Sequence, residues 1–158
     1  MLGAMRHLWS LPLAALALAF GGCTRTIDSE KAERTITKSV SSRTGSKITK
    51  VNCPSGKTAG KGETFRCTVV AADGESGSVV VTETDDQGTV RVRVPYRDSA
   101  ATERAMATKL TRRGGRPVGV DCPDLIPIRA GIRFTCIMDS EGRRGRIEAR
   151  QIDAAGKV

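Results

Sequence analysis

Two fifteen-residue stretches of the chain begin and end with cysteine and share their internal pattern. Residues 53–67 read CPSGKTAGKGETFRC, and residues 122–136 read CPDLIPIRAGIRFTC. Each starts with Cys-Pro, has glycine at its tenth position, and has Phe two residues before the closing Cys. The chain therefore contains one small unit twice, and this unit has to fold within about half of the 158 residues.

The similarity extends beyond these stretches at an offset of 69 or 70 residues. The segment ITKVNCP (48–54) corresponds to PVGVDCP (117–123), and EKAERTITKSV (30–40) corresponds to ATERAMATKL (101–110). A repeat of this length is typical of tandem small domains, because solenoid repeats have about 20–50 residues. We predict a first domain over 28–96 and a second over 97–158.

The first domain has the pattern of one helix followed by four strands. Asp28 or Ser29 is a suitable cap for a helix that runs to about Ser42. Strands are predicted near 48–53, 64–72, 78–84 and 89–95. The last one contains VRVRV, whose strict alternation directs its valines to one face and its arginines to the other.

The second domain repeats this order, with a helix over about 99–111 and strands near 117–122, 132–139 and 145–152. Its fourth strand is short or missing, which leaves a sheet edge exposed or completed by the first domain or a partner. The predicted fold class is α+β, with two tandem domains that each pack a helix on an antiparallel sheet of about four strands. The connection VPYRDSA is short, so we expect the domains to touch.

The N-terminal 22 residues have the features of a signal peptide. Arg6 precedes LWSLPLAALALAF, an apolar run of thirteen residues that is shorter than the about 20 of a membrane-spanning helix. The following Gly21-Gly22-Cys23 resembles the lipobox of bacterial lipoproteins, in which the cysteine becomes the mature N-terminus and carries fatty acyl chains such as palmitate. The resemblance implies a lipid-anchored linker over 23–27 at the outer face of the cell membrane. The alternative is an ordinary signal peptide cut nearby, with no role for Cys23.

Four cysteines remain, which is an even number in an exported chain. Four cysteines allow three pairings, and their spacing alone does not choose between them. The repeat favours Cys53–Cys67 and Cys122–Cys136, because two copies of one unit most simply close on themselves. Each disulfide would stabilise its unit by roughly 3 kcal/mol. A four-cysteine zinc site is the alternative, and the absence of Cys-x-x-Cys together with an oxidising exterior disfavours it.

The combined motif resembles a family of bacterial lipoproteins known as domain of unknown function 4333, in two copies. The residues that carry the resemblance are Val51, Cys53, Pro54, Gly62, Phe65 and Cys67, and then Val120, Cys122, Pro123, Gly131, Phe134 and Cys136. The family implies export and a small α+β domain, and it implies no known reaction. The tandem layout is also similar in architecture to secreted β-lactamase inhibitor proteins, which makes an inhibitor or regulator of an envelope enzyme the alternative function.

Catalytic chemistry has little support in the sequence. The single histidine is His7, which would leave with the signal peptide, so no residue with an ordinary pKa near neutrality remains as a general base. The acidic pair Asp85-Asp86 lies in TDDQG, which reads as a hairpin turn and lacks the alternating ligands of a calcium loop. We predict no enzyme activity, no cofactor and no metal site. A hydrolase with a Ser-Lys or carboxylate site is the least favoured alternative.

Charge is the one sequence signal for a binding partner. The chain has 26 Lys and Arg against 17 Asp and Glu, and arginines are dense in TRRGGR (111–116) and GRRGR (142–146). Arginine binds phosphate and carboxylate through two parallel hydrogen bonds. The candidate anion-binding residues are therefore Arg112, Arg113, Arg116, Arg143, Arg144 and Arg146. The alternative is a solvated basic surface.

The partners that this charge suggests are lipid headgroups, an anionic envelope polymer or an envelope protein. Nucleic acid is disfavoured, because aromatic residues make up only 3% of the chain and single-strand binding uses aromatic stacking. The sequence as a whole predicts an exported, lipid-anchored cell-envelope protein with a non-enzymatic binding or structural role.

Overall fold

The computed structural model describes residues 28–56, 60–153, 155 and 157. The predicted signal peptide and Cys23 lie outside these residues. Within them, no helix has the length and apolar character needed to cross a membrane. The elements follow in the order α1 (Ser29–Thr44), β1 (Ile48–Asn52), β2 (Thr64–Ala71), β3 (Ser76–Glu83), β4 (Val90–Arg93), α2 (Ser99–Gly114), β5 (Gly119–Asp121), β6 (Arg133–Ser140) and β7 (Arg143–Arg150).

Helix α1 begins and ends at residues suited to those positions. The Asp28 side chain accepts a hydrogen bond from the Lys31 backbone N–H at 3.0 Å, which satisfies one of the first four N–H groups of the helix. Gly45 ends the helix with φ of 73°, a left-handed conformation that glycine adopts without strain. The helix extends two residues beyond the predicted end at Ser42.

The first unit is a four-stranded antiparallel sheet in the order β1-β2-β3-β4, with α1 packed on one face. Strand β2 alternates between buried and exposed positions, as expected for a sheet with one covered face. The alternation predicted for VRVRV is confirmed, because its three valines pack against the core while Arg91 and Arg93 are exposed. The buried core consists of Ile36, Val40, Ile48, Phe65, Cys67, Val69, Ala71, Val79, Val81, Tyr96 and Leu125.

The second unit has a similar helix and a smaller sheet. Asp98 caps α2 by accepting from the Ala101 N–H at 2.7 Å, and Gly115 ends it with φ of 69°. Among the described residues this sheet has three strands, in the order β5-β6-β7, in line with the expectation that its fourth strand is short or missing. The predicted count of about four strands holds for the first sheet. A fourth strand would require a segment equivalent to VRVRV, and the described part of the second unit has none. The core is correspondingly small, with Cys122, Ile126 and Cys136 fully enclosed.

Both disulfides that the repeat favours are present. Cys53–Cys67 joins the chain just after β1 to the middle of β2, and Cys122–Cys136 joins the chain just after β5 to the middle of β6. Cys67 and Cys136 are buried in the cores of their units. Each disulfide therefore fixes the pairing of the two strands that follow the helix.

Each segment between paired cysteines, residues 53–67 and 122–136, is called a cysteine loop here. The same kind of hydrogen bond, to a glutamate carboxylate of the helix, holds the start of each loop. The Glu33 carboxylate on α1 accepts from the Cys53 N–H at 3.2 Å, and the Glu103 carboxylate on α2 accepts from the Cys122 N–H at 3.0 Å. These carboxylates satisfy a backbone donor that lies beyond the strand pairing. The end of β1 and the end of β5 are thus tied to the second turns of their helices.

The end of each cysteine loop is also held alike. The Gly62 N–H donates to the Glu83 carbonyl at 2.9 Å, and the Gly131 N–H donates to the Gln151 carbonyl at 2.8 Å. Both glycines have positive φ, at 88° and 80°. This conformation favours glycine, which explains why both copies of the motif have it at the tenth position.

The two units meet through residues 124–128, which we call the docking segment. Leu125 leaves its own unit and packs into the core of the first, where it is 5% exposed. Backbone hydrogen bonds run from the Arg97 N–H to the Ile126 carbonyl at 3.0 Å, and from the Ile128 N–H to the Pro95 carbonyl at 2.8 Å. The predicted contact between the units is confirmed, and it is made by the cysteine loop of the second unit.

Tyr96 closes the first core beside the docking segment. Its hydroxyl accepts from the Ser78 N–H at 2.6 Å and donates to the Ser78 carbonyl at 3.1 Å. The ring lies over Gly77, where a Cβ atom would collide with it. Glycine is thus required at this strand position because the aromatic ring occupies the space of a side chain.

Three carboxylates lie together where the units meet. Asp73 and Asp124 each accept from the other's backbone N–H, at 3.0 and 3.3 Å, and Glu75 accepts from the Leu125 N–H at 3.2 Å. Desolvation at this junction raises the pKa of Glu75, and the charges of Asp73 and Asp124 raise it further against the lowering effect of the Leu125 hydrogen bond. The ionised form of Glu75 is therefore disfavoured in the folded protein.

Replacing Leu125 with alanine tests whether the docking segment holds the molecule together. We expect Leu125→Ala to lower the free energy of unfolding by about 2–5 kcal/mol, because it removes a buried side chain and leaves a cavity. Ile137→Ala is the control, since Ile137 is 38% exposed on β6, and it should cost less than about 1 kcal/mol. Urea unfolding with both disulfides intact measures the difference, and equal effects of the two substitutions would contradict the account.

Glu75→Gln tests the carboxylate junction. Because the folded-state pKa of Glu75 is raised, its stabilising contribution is full below the unfolded value and is lost as the pH rises through the folded value. The glutamine side chain keeps an acceptor for the Leu125 N–H and has no charge. We expect the wild type to gain stability relative to the variant as the pH falls from 7 toward 4. Unfolding curves across this range measure it, and a difference that stays constant would refute the assignment.

Candidate anion-binding surface

The predicted arginines come together at one end of the second unit. Arg112 and Arg113 lie in the last turn of α2, Arg116 follows its C-cap, and the other three lie on β7. The loop after α2 contacts the β6–β7 turn, because Arg116 Nη1 lies 3.1 Å from Glu141 Oε2. A hydrogen bond of 3.0 Å from the Ser140 hydroxyl to the Pro117 carbonyl joins the same two segments.

Acidic neighbours neutralise part of this arginine group. Arg116 pairs with Glu141, and Arg144 Nε lies 3.5 Å from Asp139 Oδ2. Arg112, Arg113, Arg143 and Arg146 are exposed and form no ion pair within the described residues.

The outward face of the second sheet has mixed charge. Arg133 on this face lies 2.7 Å from Glu148, and the hydrogen bond and charge of that carboxylate raise the pKa of Arg133. The face has four arginines and three carboxylates in all, from Arg133, Arg144, Arg146, Arg150, Asp121, Asp139 and Glu148. Exposed pairs of this kind contribute about 0–1 kcal/mol each, and they reduce the net positive charge of the face.

The outward face of the first sheet has cations without carboxylates. Its side chains belong to Lys50, Asn52, Thr64, Arg66, Thr68, Val70, Ser76, Ser78, Val80, Thr82, Arg91 and Arg93. We call Lys50, Arg66, Arg91 and Arg93 the cationic sheet face. All four are exposed, and none forms an ion pair with another described residue.

Strand register sets the spacing on the cationic sheet face. Val80 lies opposite Arg66 on one side and opposite Arg93 on the other, so the two guanidinium-bearing positions are two strands apart. Neighbouring strands are about 4.8 Å apart, which places these positions roughly 10 Å from each other. Two arginines at this spacing can bind separate phosphate or carboxylate groups of one extended anion. Val80 lies between them, and the hydroxyl-bearing Ser78 and Thr82 are its neighbours on the same face of β3.

The helix side of the first unit differs from the sheet side. Glu30 and Arg34 form an ion pair at 3.4 Å there, and Glu33 holds the Cys53 N–H. Positive and negative groups alternate on this side, as is common for an exposed helix. Helix α1 has four cations against Glu30, Glu33 and the cap Asp28, whereas the outward positions of the sheet have four cations and no carboxylate. This grouping on the sheet depends on strand pairing, and the sequence analysis missed it.

Arg97 is another basic residue that the sequence analysis missed, and it lies between the units. Arg97 and Arg43 line a groove of about 550 Å³ together with parts of both helices. The Arg97 Nε and Nη1 atoms are buried and have no hydrogen-bond partner among the described residues, and this burial lowers the pKa of Arg97.

The acidic pair Asp85-Asp86 lies in the turn between β3 and β4, and Asp85 stabilises this turn through hydrogen bonds. Asp85 accepts from the Gln87 N–H at 3.0 Å and from the Thr89 N–H at 2.9 Å. Hydrogen bonds from Thr89 lower the pKa of Asp85. The described residues contain no group of three side chains placed to bind a metal ion. His7 and Cys23 lie outside the described residues.

Each unit is a small α+β domain in which a helix is followed by an antiparallel sheet and a disulfide closes the structure. The family model described as Domain of unknown function (DUF4333) matches residues 13–88, which include α1 and the first three strands. The match supports assignment of the first unit to this domain family. Comparisons with curated proteins and with solved structures found no match.

The cationic sheet face can be tested with a soluble polyanion. We expect Arg66, Arg91 and Arg93 changed together to Gln to weaken binding of inorganic polyphosphate about tenfold at low salt, because three uncompensated cations are removed. The matched control changes Arg133, Arg144 and Arg146 on the second sheet to Gln, and should weaken binding less than about threefold. Titration calorimetry measures both, and equal weakening would show that net charge alone decides binding.

Proposed function

We propose that the chain is an exported, lipid-anchored cell-envelope protein with a non-enzymatic binding role at the outer face of the cell membrane. The observation that carries this proposal is the pair of disulfides, one inside each small unit. Disulfides form and persist in oxidising compartments outside the cytosol. Small domains with thin cores commonly depend on them, and the second unit has such a core.

The proposed anchor is an acylated Cys23 at the start of the mature chain. Gly21 and Gly22 precede this cysteine, and the apolar run of a signal peptide precedes them. Four residues separate Cys23 from Asp28, where the described structure begins. A chain spans at most about 3.6 Å per residue, so the anchor would hold α1 within about 18 Å of the bilayer surface.

The proposed binding surface is the cationic sheet face. It belongs to the unit nearest the anchor, and none of its four cations forms an ion pair within the described residues. Electrostatic attraction extends over about 8–10 Å at physiological ionic strength, which is comparable to the reach of the tether. Anionic lipid headgroups or an anionic envelope polymer are suitable partners, because arginine binds phosphate and carboxylate strongly. Arg112, Arg113 and Arg143 are a second candidate contact.

The second unit is proposed to be another copy of the same domain family. Its helix has the same aspartate and glycine caps as the first, and its cysteine loop is held by the same two kinds of hydrogen bond. A non-enzymatic role for both units is supported by the sequence, because no histidine follows Cys23.

Inhibition or regulation of an envelope enzyme is a second candidate function. Strand β7 favours it, because this eight-residue strand is an edge of the second sheet within the described residues. Edge strands present unpaired backbone groups that another chain can bind.

Cell fractionation of Cys23→Ala tests the anchor. We expect the wild type to stay with membranes in high salt, because acyl chains do not depend on charge, and the variant to be released. At low salt the variant should keep a partial association that is lost when Arg66, Arg91 and Arg93 are also changed to Gln. The same three changes on the second sheet, at Arg133, Arg144 and Arg146, are the matched control.

The two parts of the proposal fail separately in this experiment. If the wild type and Cys23→Ala are equally soluble at high salt, the chain has no lipid anchor. If the low-salt association of Cys23→Ala is the same with either set of arginine changes, the cationic sheet face has no specific role.

A further inference from the structure

Strand β7 lacks the neighbour that its counterpart in the first unit has. In the first sheet, β3 is paired with β2 on one side and with β4 on the other. In the second sheet, β7 is paired with β6 alone among the described residues. The missing neighbour leaves eight residues of strand with one row of backbone groups unpaired.

The same asymmetry appears in the apolar residues beneath. Val40 on α1 and Val79 on β3 are fully buried, at 0% exposure. Their counterparts by the repeat are Leu110 on α2 and Ile147 on β7, and both are only partly buried. The first unit covers these positions with the valines of β4, which pack against its core. The second unit leaves them open to solvent.

A groove between α2 and β7 occupies the place of the missing strand. It has a volume of about 450 Å³, and its apolar lining is Ala105, Met106 and Leu110 of the helix and Ile147 and Ala149 of the strand. Charged residues of the helix (Lys109 and Arg113) and of the strand (Glu148 and Arg150) line it as well. The inward positions of β7 are Gly145, Ile147 and Ala149, so none of the inward side chains of the strand is charged. Natural edges that avoid pairing commonly have such an inward charge.

We propose that the second unit binds an extended segment of a partner protein, which adds to β7 as a fourth, antiparallel strand. The β3–β4 pairing gives the register, because Val92 lies opposite Val81 and Val90 lies opposite Glu83. Glu83 and Gln151 occupy equivalent positions in the two units. Apolar side chains of the partner would therefore lie opposite Ala149 and Gln151, and the residues between them would point outward.

The outward charges of β7 specify the other half of the partner pattern. Arg144, Arg146, Glu148 and Arg150 point outward, and Arg144 and Glu148 are already paired within the sheet. Arg146 and Arg150 form no ion pair within the described residues. In the same register, the outward partner positions equivalent to Arg91 and Pro95 lie opposite Arg150 and Arg146, and the position between them lies opposite Glu148. Acidic residues at the first two of these positions would neutralise the two arginines. A second copy of β7 fits less well, because it would bring further arginines to this edge.

The partner segment thus has apolar residues at alternate positions and acidic residues at the two outward positions that face Arg150 and Arg146. Main-chain hydrogen bonds would supply affinity, and the groove would select the apolar side chains. This proposal requires neither the lipid anchor nor the cationic sheet face.

Short peptides with sequences based on β4 test the proposal with the intact mature chain. The probe has the sequence of residues 88–95 with Arg91→Glu and Pro95→Glu, which places its glutamates opposite Arg150 and Arg146 and keeps Arg93 opposite Glu148. One control peptide has neither glutamate, and another has both glutamates together with Val90→Ser, Val92→Ser and Val94→Ser. We expect the probe to bind roughly three- to tenfold more tightly than the peptide without glutamates at low salt, and the serine peptide not to bind. Amide hydrogen exchange should slow along β7 when the probe binds.

Two variants locate the binding site. Ile147→Lys places a charge in the groove and should abolish binding of the probe. Ile137→Lys makes the same change on the outward face of β6, where Ile137 is exposed, and should leave binding unchanged. If Ile147→Lys does not fold, hydrogen exchange of the wild type decides the question.

Three results would overturn the proposal. They are binding that tolerates Ile147→Lys, no probe binding at millimolar concentration, and probe binding without protection of β7. Protection of β7 that appears with rising protein concentration alone would identify a second copy as the occupant, and would equally overturn it.

Discussion

The disulfide in each unit is the constraint on which the rest of the structure depends. Cys53–Cys67 and Cys122–Cys136 fix the two strands that follow each helix, and the carboxylates of Glu33 and Glu103 tie the same point to the helix. The second unit needs this closure most, because its enclosed core is small. A disulfide also requires an oxidising compartment, so the covalent link that stabilises the fold supports a location outside the cytosol.

The two units have similar frameworks and use their cysteine loops differently. The loop of the second unit contains the docking segment, and its Leu125 completes the core of the first unit beside Tyr96. The first unit has a full sheet with a cationic outward face, whereas the second has a mixed face and an open edge at β7. The two units thus have different surfaces, and we propose a separate binding role for each.

Local features of this fold could be predicted from the sequence, and contacts between distant segments could not. Aspartate and glycine caps, the alternation of VRVRV and the disulfide pairing all follow from short patterns or from the repeat. The position of Leu125 depends on the packing of one unit on the other. Hydrophobic periodicity in the sequence gives no information about such packing. The convergence of Lys50 and Arg66 with Arg91 and Arg93 depends on strand order and register. The ion pairs of Arg116 and Arg144 depend on partners in or just after a separate strand, Asp139 of β6 and Glu141 of the following turn.

The most direct test of the account is peptide mapping by mass spectrometry of the protein isolated from cell membranes with thiols blocked at lysis. The account predicts a mature N-terminus at Cys23 that carries acyl chains. It also predicts disulfide-linked peptides that contain Cys53 with Cys67 and Cys122 with Cys136. A chain that retains its first 22 residues, or whose four inner cysteines carry the thiol-blocking label, would contradict the account.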